Sequence, residues 1–154
     1  MSAFFCDSSA IVKRYVAETG STWLSAITNP ASGNRVYIAR ITFVEVISAI
    51  TRREKGGHLS TSDADNARLT FEQDYLNEFR KVEISENLIN EATNLAKKYA
   101  LRGYDAVQLA AILETEKERL ASGLPSLTLL SADTDLNAAA TAEGLTVDNP
   151  NNHP

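Results

Sequence analysis

Four acidic side chains stand where predicted strands stop or predicted helices begin, and each has apolar neighbours in the sequence. They are Asp7, Glu45, Asp105 and Asp133. Ligand crevices of open α/β sheets form at such strand ends, so we expect the four acids to meet at one edge. Carboxylates gathered there raise one another's pKa, and a bound cation would neutralise them. Hard oxygen ligands without thiolate or imidazole favour magnesium or manganese.

Each acid taken alone also has a purely structural explanation. Asp is a preferred helix N-cap, and acidic residues in a first turn favour the positive end of the helix dipole. We interpret Asp135, two residues beyond Asp133, as such a first-turn acid, although it is also placed to reach an ion through water. The combination of four acids, rather than any one of them, supports the metal-site hypothesis.

The segments around the acids predict strands and helices that alternate along the chain. The predicted strands are Ala3–Cys6, Arg35–Ile38, Lys81–Ile84, Leu127–Leu130 and Thr146–Val147. Such alternation is typical of a mainly parallel sheet with helices on both faces. At 154 residues, the chain fits one domain. We predict a three-layer α/β/α domain over residues 1–148, followed by a short polar tail at 149–154.

Several helix ends are marked by capping residues. The helix that contains Glu45 is predicted to end at Gly56-Gly57, because glycine is common just past a helix end. Cap candidates at 61–63 begin a long helix to about residue 79, and Ser85 begins one to about residue 99. Asp105 is predicted to open a further helix.

Histidine and cysteine offer little chemistry in this sequence. Cys6 lies in a predicted core strand, where a buried small hydrophobe is expected, and one cysteine cannot form an internal disulfide. His58 and His153 fall in a predicted loop and tail, where we expect both to be solvated. The N-terminal apolar run is too short for a signal peptide or a membrane span, which predicts a cytoplasmic protein.

Taken in order, the acidic motifs resemble those of the PIN domain family, and within it the VapC-type toxin ribonucleases of VapBC toxin–antitoxin pairs. The resemblance covers nearly the whole chain. The motifs that carry it are Phe4–Lys13, Thr42–Glu45, Tyr104–Ala111 and Leu129–Asp133, with a final Gly144–Val147. Each motif is weak alone, whereas their order and spacing together are fairly specific.

The resemblance implies a metal-dependent single-strand RNA endonuclease that hydrolyses phosphodiesters with metal-activated water. The four acids would then be both catalytic and Mg²⁺- or Mn²⁺-binding, and Ser9 and Ser131 would orient them by hydrogen bonds. A helix cap or turn hydroxyl is the alternative role for each serine. The implied partners are an RNA substrate (tRNA, rRNA or mRNA), a VapB-like antitoxin and a second copy in a homodimer, without a membrane. The implied antitoxin groove lies near Tyr15 and Trp23, whose alternative role is core packing.

The charge of the chain is unusual for an RNA-binding protein. Its net charge is −5, whereas phosphate contacts normally supply much of the affinity for nucleic acid. Basic residues nevertheless flank the acidic motifs in sequence: Lys13, Arg14, Arg40, Arg52, Arg53, Lys55 and Arg102. A solvated face is the default expectation for each of them, and contact with an RNA backbone is the alternative.

Two other functions fit part of the pattern. A phosphatase of the haloacid dehalogenase type also places an Asp after its first strand, but it needs a second Asp two residues later, where this chain has Ser9. A non-catalytic PIN-like module that binds RNA or a partner is the second alternative. The presence of all four acids argues against that module.

Overall fold

The first strand, β1 (Ala3–Cys6), lies in the middle of a five-stranded sheet in a computed structural model that describes residues Met1–Pro154. The other strands are β2 (Arg35–Ala39), β3 (Arg80–Val82), β4 (Thr128–Leu130) and β5 (Thr146–Asp148). They lie in the order β3-β2-β1-β4-β5, and every pairing is parallel. The predicted α/β fold is confirmed, and the sheet is wholly parallel.

Seven α-helices connect the strands. They are α1 (Ser8–Ile11), α2 (Ser21–Thr28), α3 (Ile41–Lys55), α4 (Thr61–Asn77), α5 (Glu86–Tyr99), α6 (Gly103–Ala121) and α7 (Thr134–Ala142). The predicted Ser85 cap is confirmed, because its side chain accepts from the Leu88 N–H at 3.1 Å. The cap of α4 is Ser60, one residue ahead of the predicted candidates at 61–63. None of the helices combines the length and apolar character needed to cross a membrane.

Two hydrophobic cores lie on opposite faces of the sheet. Along β1 and β4 successive side chains alternate between them, since side chains in a strand point to opposite faces. Phe5 and Leu129 belong to one core, which includes residues of α5, α6 and α7. Cys6 and Leu130 belong to the other, which includes residues of α3 and α4. Cys6 is fully buried, as predicted.

The strand order creates a crevice at the carboxyl ends of β1 and β4. From β1 the chain first adds strands on one side and later adds β4 on the other, so the connections diverge at this point. Ligands of open α/β sheets bind at such switch points. Cys6 pairs with Leu130 in register, and the Asp7 N–H donates to the Leu130 carbonyl at 3.3 Å. Residues that directly follow these two strands are therefore neighbours.

The polar segment at 149–154 packs against α2. Residues 150–152 form a 3₁₀ turn in which Pro150 is buried. The ring of His153 stacks on Trp23 at 3.8 Å between centroids, and its Nε2 lies 2.8 Å from an Asp148 carboxylate oxygen. His153 is therefore only partly solvated, with 34% of its side chain exposed, because its ring packs on the half-buried Trp23. The solvated position predicted for His58 is confirmed.

Gly20 allows the chain end to approach α2 closely. Its φ is +86°, and a Cβ built there would lie 2.2 Å from the Pro150 carbonyl oxygen. We expect Gly20→Ala to destabilise the protein more than Gly33→Ala, which has φ +73° but open space around its Cα. The Gly33 change should cost about 1–2 kcal/mol from the left-handed backbone alone. Urea unfolding of both variants measures the difference, and equal losses would contradict the close packing of the chain end.

Candidate active site

The carboxylate of Asp7 is the most enclosed polar group of the crevice. Asp7 follows β1 directly and caps α1, where its Oδ1 accepts from the Ala10 N–H at 2.9 Å. The Ser9 hydroxyl lies 2.7 and 2.9 Å from the two carboxylate oxygens, and the Ser131 hydroxyl donates to Oδ2 at 2.8 Å. Only 3% of Asp7 is exposed to solvent. The backbone and both serines therefore hold one buried carboxylate.

Burial dominates the acidity of this group. Removal from water raises the pKa of Asp7 to about 7. The hydrogen bonds from Ser9, Ser131 and the Ala10 amide lower that pKa, because they favour the charged form, whereas the negative charge of Glu45 raises it further. The Asp7 carboxyl is thus close to half-protonated near neutral pH in the absence of a cation.

The same two serines join the loops that follow β1 and β4. The Ser9 hydroxyl accepts from the Ala132 N–H at 2.9 Å, and the Ser131 hydroxyl accepts from the Asp133 N–H at 3.0 Å. Through Ser131, the side chain of Asp7 and the backbone of Asp133 share one hydroxyl group. Both serines make the contacts expected of residues that orient Asp7.

Glu45 is held by residues that the sequence analysis did not identify. Its Oε1 accepts from Gln108 Nε2 at 2.8 Å, and its Oε2 accepts from the Ser8 hydroxyl at 3.3 Å. Gln108 is buried and also donates to the Thr42 hydroxyl at 2.9 Å, but its own Oε1 has no partner. The signal in the sequence that could have identified it is a polar residue within the apolar stripe of α6, three positions after Asp105.

The remaining acids lie in first turns or at caps. Asp105 is half-buried in the first turn of α6; burial raises its pKa, the charges of Asp133 and Asp135 raise it further, and Arg102 lowers it. Asp133 caps α7 by accepting from the Leu136 N–H at 2.9 Å. Asp135 is exposed in the first turn of α7, as interpreted from the sequence.

The four predicted acids interact electrostatically. The charge of Glu45 raises the pKa of Asp7, that of Asp105 raises the pKa of Glu45, and that of Asp133 raises the pKa of Asp105. Burial is the largest cause of the raised pKa at each of these three groups. Ionisation of these acids in the crevice is therefore unfavourable, and a bound cation would offset that free-energy cost.

The acids nevertheless do not form a ready-made metal cage. No three acidic, histidine or cysteine side chains converge closely enough to hold one ion. The carboxylates are turned toward hydrogen-bond donors instead: serines at Asp7, Gln108 at Glu45 and the α7 amide at Asp133. Mg²⁺ commonly uses only one or two protein carboxylates and keeps several waters. The donors present, all hard oxygens, therefore fit such an ion chemically without a complete protein cage.

The basic residues near the acids differ in their exposure to solvent, whereas the sequence predicts a solvated face for each of them. A solvated face is wrong for Lys13, which is buried and lies 3.3 Å from Glu18, and for Arg14, which contacts Glu78 at 2.7 Å. Exposed positions are confirmed for Arg40, Arg52, Lys55 and Arg102. Of these exposed bases, Arg40 pairs with Glu83, whereas Arg52, Lys55 and Arg102 form no ion pair.

Comparison with known proteins covers nearly the whole chain. The sequence model of the PIN domain matches residues 4–142. Ribonuclease VapC45 of Mycobacterium tuberculosis (strain CDC 1551 / Oshkosh) is 32% identical over 147 residues, which are 96% of this chain and 95% of that protein. Ribonuclease VapC49 of Mycobacterium tuberculosis (strain ATCC 25618 / H37Rv) has the same identity and coverage.

Solved structures share the fold at lower identity. FitAcB from Neisseria gonorrhoeae matches with a TM-score of 0.64 and 18% identity over 96% of this chain and 97% of that one. VapC20 of Mycobacterium tuberculosis, described as a sarcin-ricin loop cleaving toxin, matches with a TM-score of 0.60 and 16% identity over 88% of this chain and 94% of that one. A toxin-antitoxin complex from Klebsiella pneumoniae matches with a TM-score of 0.58 and 20% identity, covering 97% of this chain and 98% of that one.

The raised pKa of Asp7 predicts how stability depends on pH without metal. Folding favours the protonated carboxyl, because its pKa is about 7 when folded and about 3.9 when unfolded. Stability linked to Asp7 is therefore full below pH 4 and is lost as pH rises to 7, with a slope of at most about 1.4 kcal/mol per pH unit. In EDTA, Asp7→Asn should show a shallower loss than wild type between pH 4 and 7.

Urea unfolding at a series of pH values measures this slope. The exposed acid Glu72 of α4, which perturbs none of the crevice acids, is the matched control, and Glu72→Gln should keep the wild-type slope. Equal slopes for wild type and Asp7→Asn would show that the Asp7 carboxyl titrates normally, against the burial argument.

Proposed function

The chain belongs to the PIN domain family, and from that premise we propose that it is a metal-dependent single-strand RNA endonuclease, the VapC-like toxin of a type II toxin–antitoxin pair. The observation that carries the proposal is the buried Asp7 carboxylate at the switch point of the sheet, coupled electrostatically to Glu45. A structural N-cap does not need three side-chain and backbone donors or a second acid beside it. The family match over residues 4–142 and the ribonuclease relatives support the same activity.

In this proposal one or two Mg²⁺ or Mn²⁺ ions would bind chiefly at Asp7, Asp105 and Asp133, with Glu45 acting directly or through water. Each ion would use one or two of these carboxylates, and water would complete its coordination. When bound, the ion supplies positive charge and Lewis acidity to phosphodiester hydrolysis. The protein itself orients the carboxylates and partly excludes water from them. Hydroxyl donors fix Asp7, and the Gln108 amide fixes Glu45, so that the site is organised before an ion arrives.

The proposed partners follow from the relatives. Similar chains occur in the Neisseria gonorrhoeae FitAcB structure and in the Klebsiella pneumoniae toxin-antitoxin complex. We therefore propose a VapB-type antitoxin as protein partner and RNA as substrate. The homodimer is proposed on the family resemblance alone. The name of VapC20, a sarcin-ricin loop cleaving toxin, makes ribosomal RNA a suitable first substrate to test.

Cleavage of RNA should require a divalent ion and the crevice acids. We expect Asp7→Asn and Asp105→Asn to lower the rate by orders of magnitude, because each change removes a charged oxygen ligand. Glu72→Gln should remain close to wild type, since this exposed acid of α4 perturbs none of the crevice acids. Gel analysis of ribosomal RNA fragments incubated with Mg²⁺, Mn²⁺ or EDTA measures the rates.

Undiminished cutting in excess EDTA would rule out the metal-dependent mechanism.

A cellular comparison separates toxin activity from nonspecific harm. Expression of the wild-type chain should slow bacterial growth, whereas Asp7→Asn at matched protein level should not. Equal toxicity of both forms would show that the harm does not depend on the crevice.

Gln108 should support activity through Glu45 rather than through the fold. This buried amide donates to Glu45 and Thr42, while its Oε1 has no protein partner, so its contacts with neighbouring groups serve to orient them rather than to satisfy the amide itself. We expect Gln108→Leu to lower cleavage about 10- to 100-fold, the usual cost of losing a group that orients a metal ligand. Gln73→Leu, at an exposed glutamine of α4, should cut like wild type. Wild-type rates for Gln108→Leu, with circular dichroism confirming folded protein, would exclude this positioning role.

A further inference from the structure

A cavity of about 510 Å³ opens beside Glu45, between the 3₁₀ turn at 12–14 and α3. Its size falls within the roughly 300–1,000 Å³ of pockets that take small ligands. Ser8 and Ser9, which contact the crevice acids, belong to its lining. The cavity is therefore continuous with the candidate active site, although the roles of the four acids do not account for its other residues.

The cavity carries more basic than acidic groups. Lys13, Arg52 and Arg53 line it, against Glu18 and Glu45. One carboxylate, that of Glu18, serves two of these cations: Lys13 at 3.3 Å and Arg53 at 3.2 Å. Arg52 is exposed and pairs with no acid. A chain with a net charge of −5 thus keeps surplus positive charge beside its acidic crevice.

These guanidinium groups have donors to spare. Arg53 uses its two terminal nitrogens for the Ala49 carbonyl at 3.2 Å and for Glu18, and its Nε has no protein partner. The hydrogen bond to Ala49 and the pair with Glu18 hold its side chain in place. Arg52 keeps all five of its donors free. Guanidinium groups with free donors match the geometry of phosphate oxygens.

Tyr104 also lines the cavity and has no structural partner. It is 61% exposed and is the one aromatic residue among the large apolar side chains that face solvent. Its ring stacks on no other ring, and its hydroxyl makes no hydrogen bond. It directly precedes Asp105 in the first turn of α6. An exposed ring face beside a basic cavity is the arrangement that proteins use to stack a nucleobase.

We propose that this cavity is a subsite for a nucleotide that flanks the scissile phosphate, with its phosphate on Arg52 and Arg53 and its base stacked on Tyr104. The proposal rests on the proposed ribonuclease function and specifies how the RNA is held. Stacking on a tyrosine ring accepts any base, because every base has a π-face. The subsite therefore positions single-stranded RNA without selecting one base.

Binding of a fluorescein-labelled 12-nucleotide single-stranded RNA of mixed sequence tests the subsite, measured by anisotropy in EDTA so that no cutting occurs. Tyr104→Leu should weaken binding about 5- to 150-fold, the range expected for loss of one stacked base. Tyr104→Phe keeps the ring and should bind within about twofold of wild type on the same reasoning. Equal binding by wild type and Tyr104→Leu would overturn the proposal.

A scan with abasic RNA identifies the stacked position. Versions of the 12-nucleotide RNA that each lack one base are bound to wild type and to Tyr104→Leu. At the position that occupies the subsite, removal of the base should weaken wild-type binding, and Tyr104→Leu should then have no further effect. Additive losses at every position would show that Tyr104 does not contact a base.

The salt dependence of binding tests the phosphate contact. Arg52→Gln should reduce the slope of log K against log salt by about 0.7, the value for one lost phosphate contact on a single strand. Lys55→Gln, at another exposed base of α3 that does not line the cavity, should leave the slope unchanged. An unchanged slope in Arg52→Gln would remove Arg52 from the proposal and leave its phosphate contact without support.

The outcomes separate the subsite from the proposed function. If the protein cleaves RNA with Mg²⁺ but the Tyr104 and Arg52 variants bind RNA like wild type, the subsite alone is overturned. That result is expected if the cavity binds a protein segment instead. Binding that depends on Tyr104, without cleavage under any divalent ion, would overturn the ribonuclease function and support the subsite. A wild-type chain that neither binds nor cuts RNA would overturn both.

Discussion

The enclosure of one carboxylate organises the functional end of this molecule. Asp7 is almost completely removed from water at the switch point, where the chain adds strands on opposite sides of β1. One backbone amide and two hydroxyl groups donate hydrogen bonds to its carboxylate there. Burial outweighs those hydrogen bonds, so the pKa remains near 7. The serines that stabilise Asp7 also join the loops after β1 and β4, and the Ser131 hydroxyl links the Asp7 carboxylate to the backbone N–H of Asp133.

That enclosure explains why the other acids are arranged as they are. Carboxylates that each raise a neighbour's pKa cannot all be ionised cheaply, and the structure spreads them among separate hydrogen-bond donors rather than crowding them around one point. Under the proposed function, a cation that keeps its own water ligands would neutralise this charge. The proposed function also gives a reason for the surplus of basic groups in the neighbouring cavity, since an RNA substrate would need positive charge to offset repulsion by the acids.

Much of this follows from local sequence. Apolar runs that stop at an acid mark β1 and β4, and helical repeats mark α3 and α6, because strand and helix periods are properties of consecutive residues. Ser85 and Gly56 mark helix ends for the same local reason. The acids, the order of their motifs and the parallel α/β class can therefore be deduced from the order of residues along the chain.

The tertiary structure decided which side chains support those acids. Ser131 reaches Asp7 across 124 positions and Gln108 reaches Glu45 across 63, and no local period encodes such pairs. The same is true of His153, which local composition assigns to a solvated tail and which the fold stacks on Trp23. Sequence by itself determined the four acids and the strands and helices that carry them. Only the folded chain decided their burial, their hydrogen-bond partners and their separation, because those depend on distant segments that compete for the same buried space.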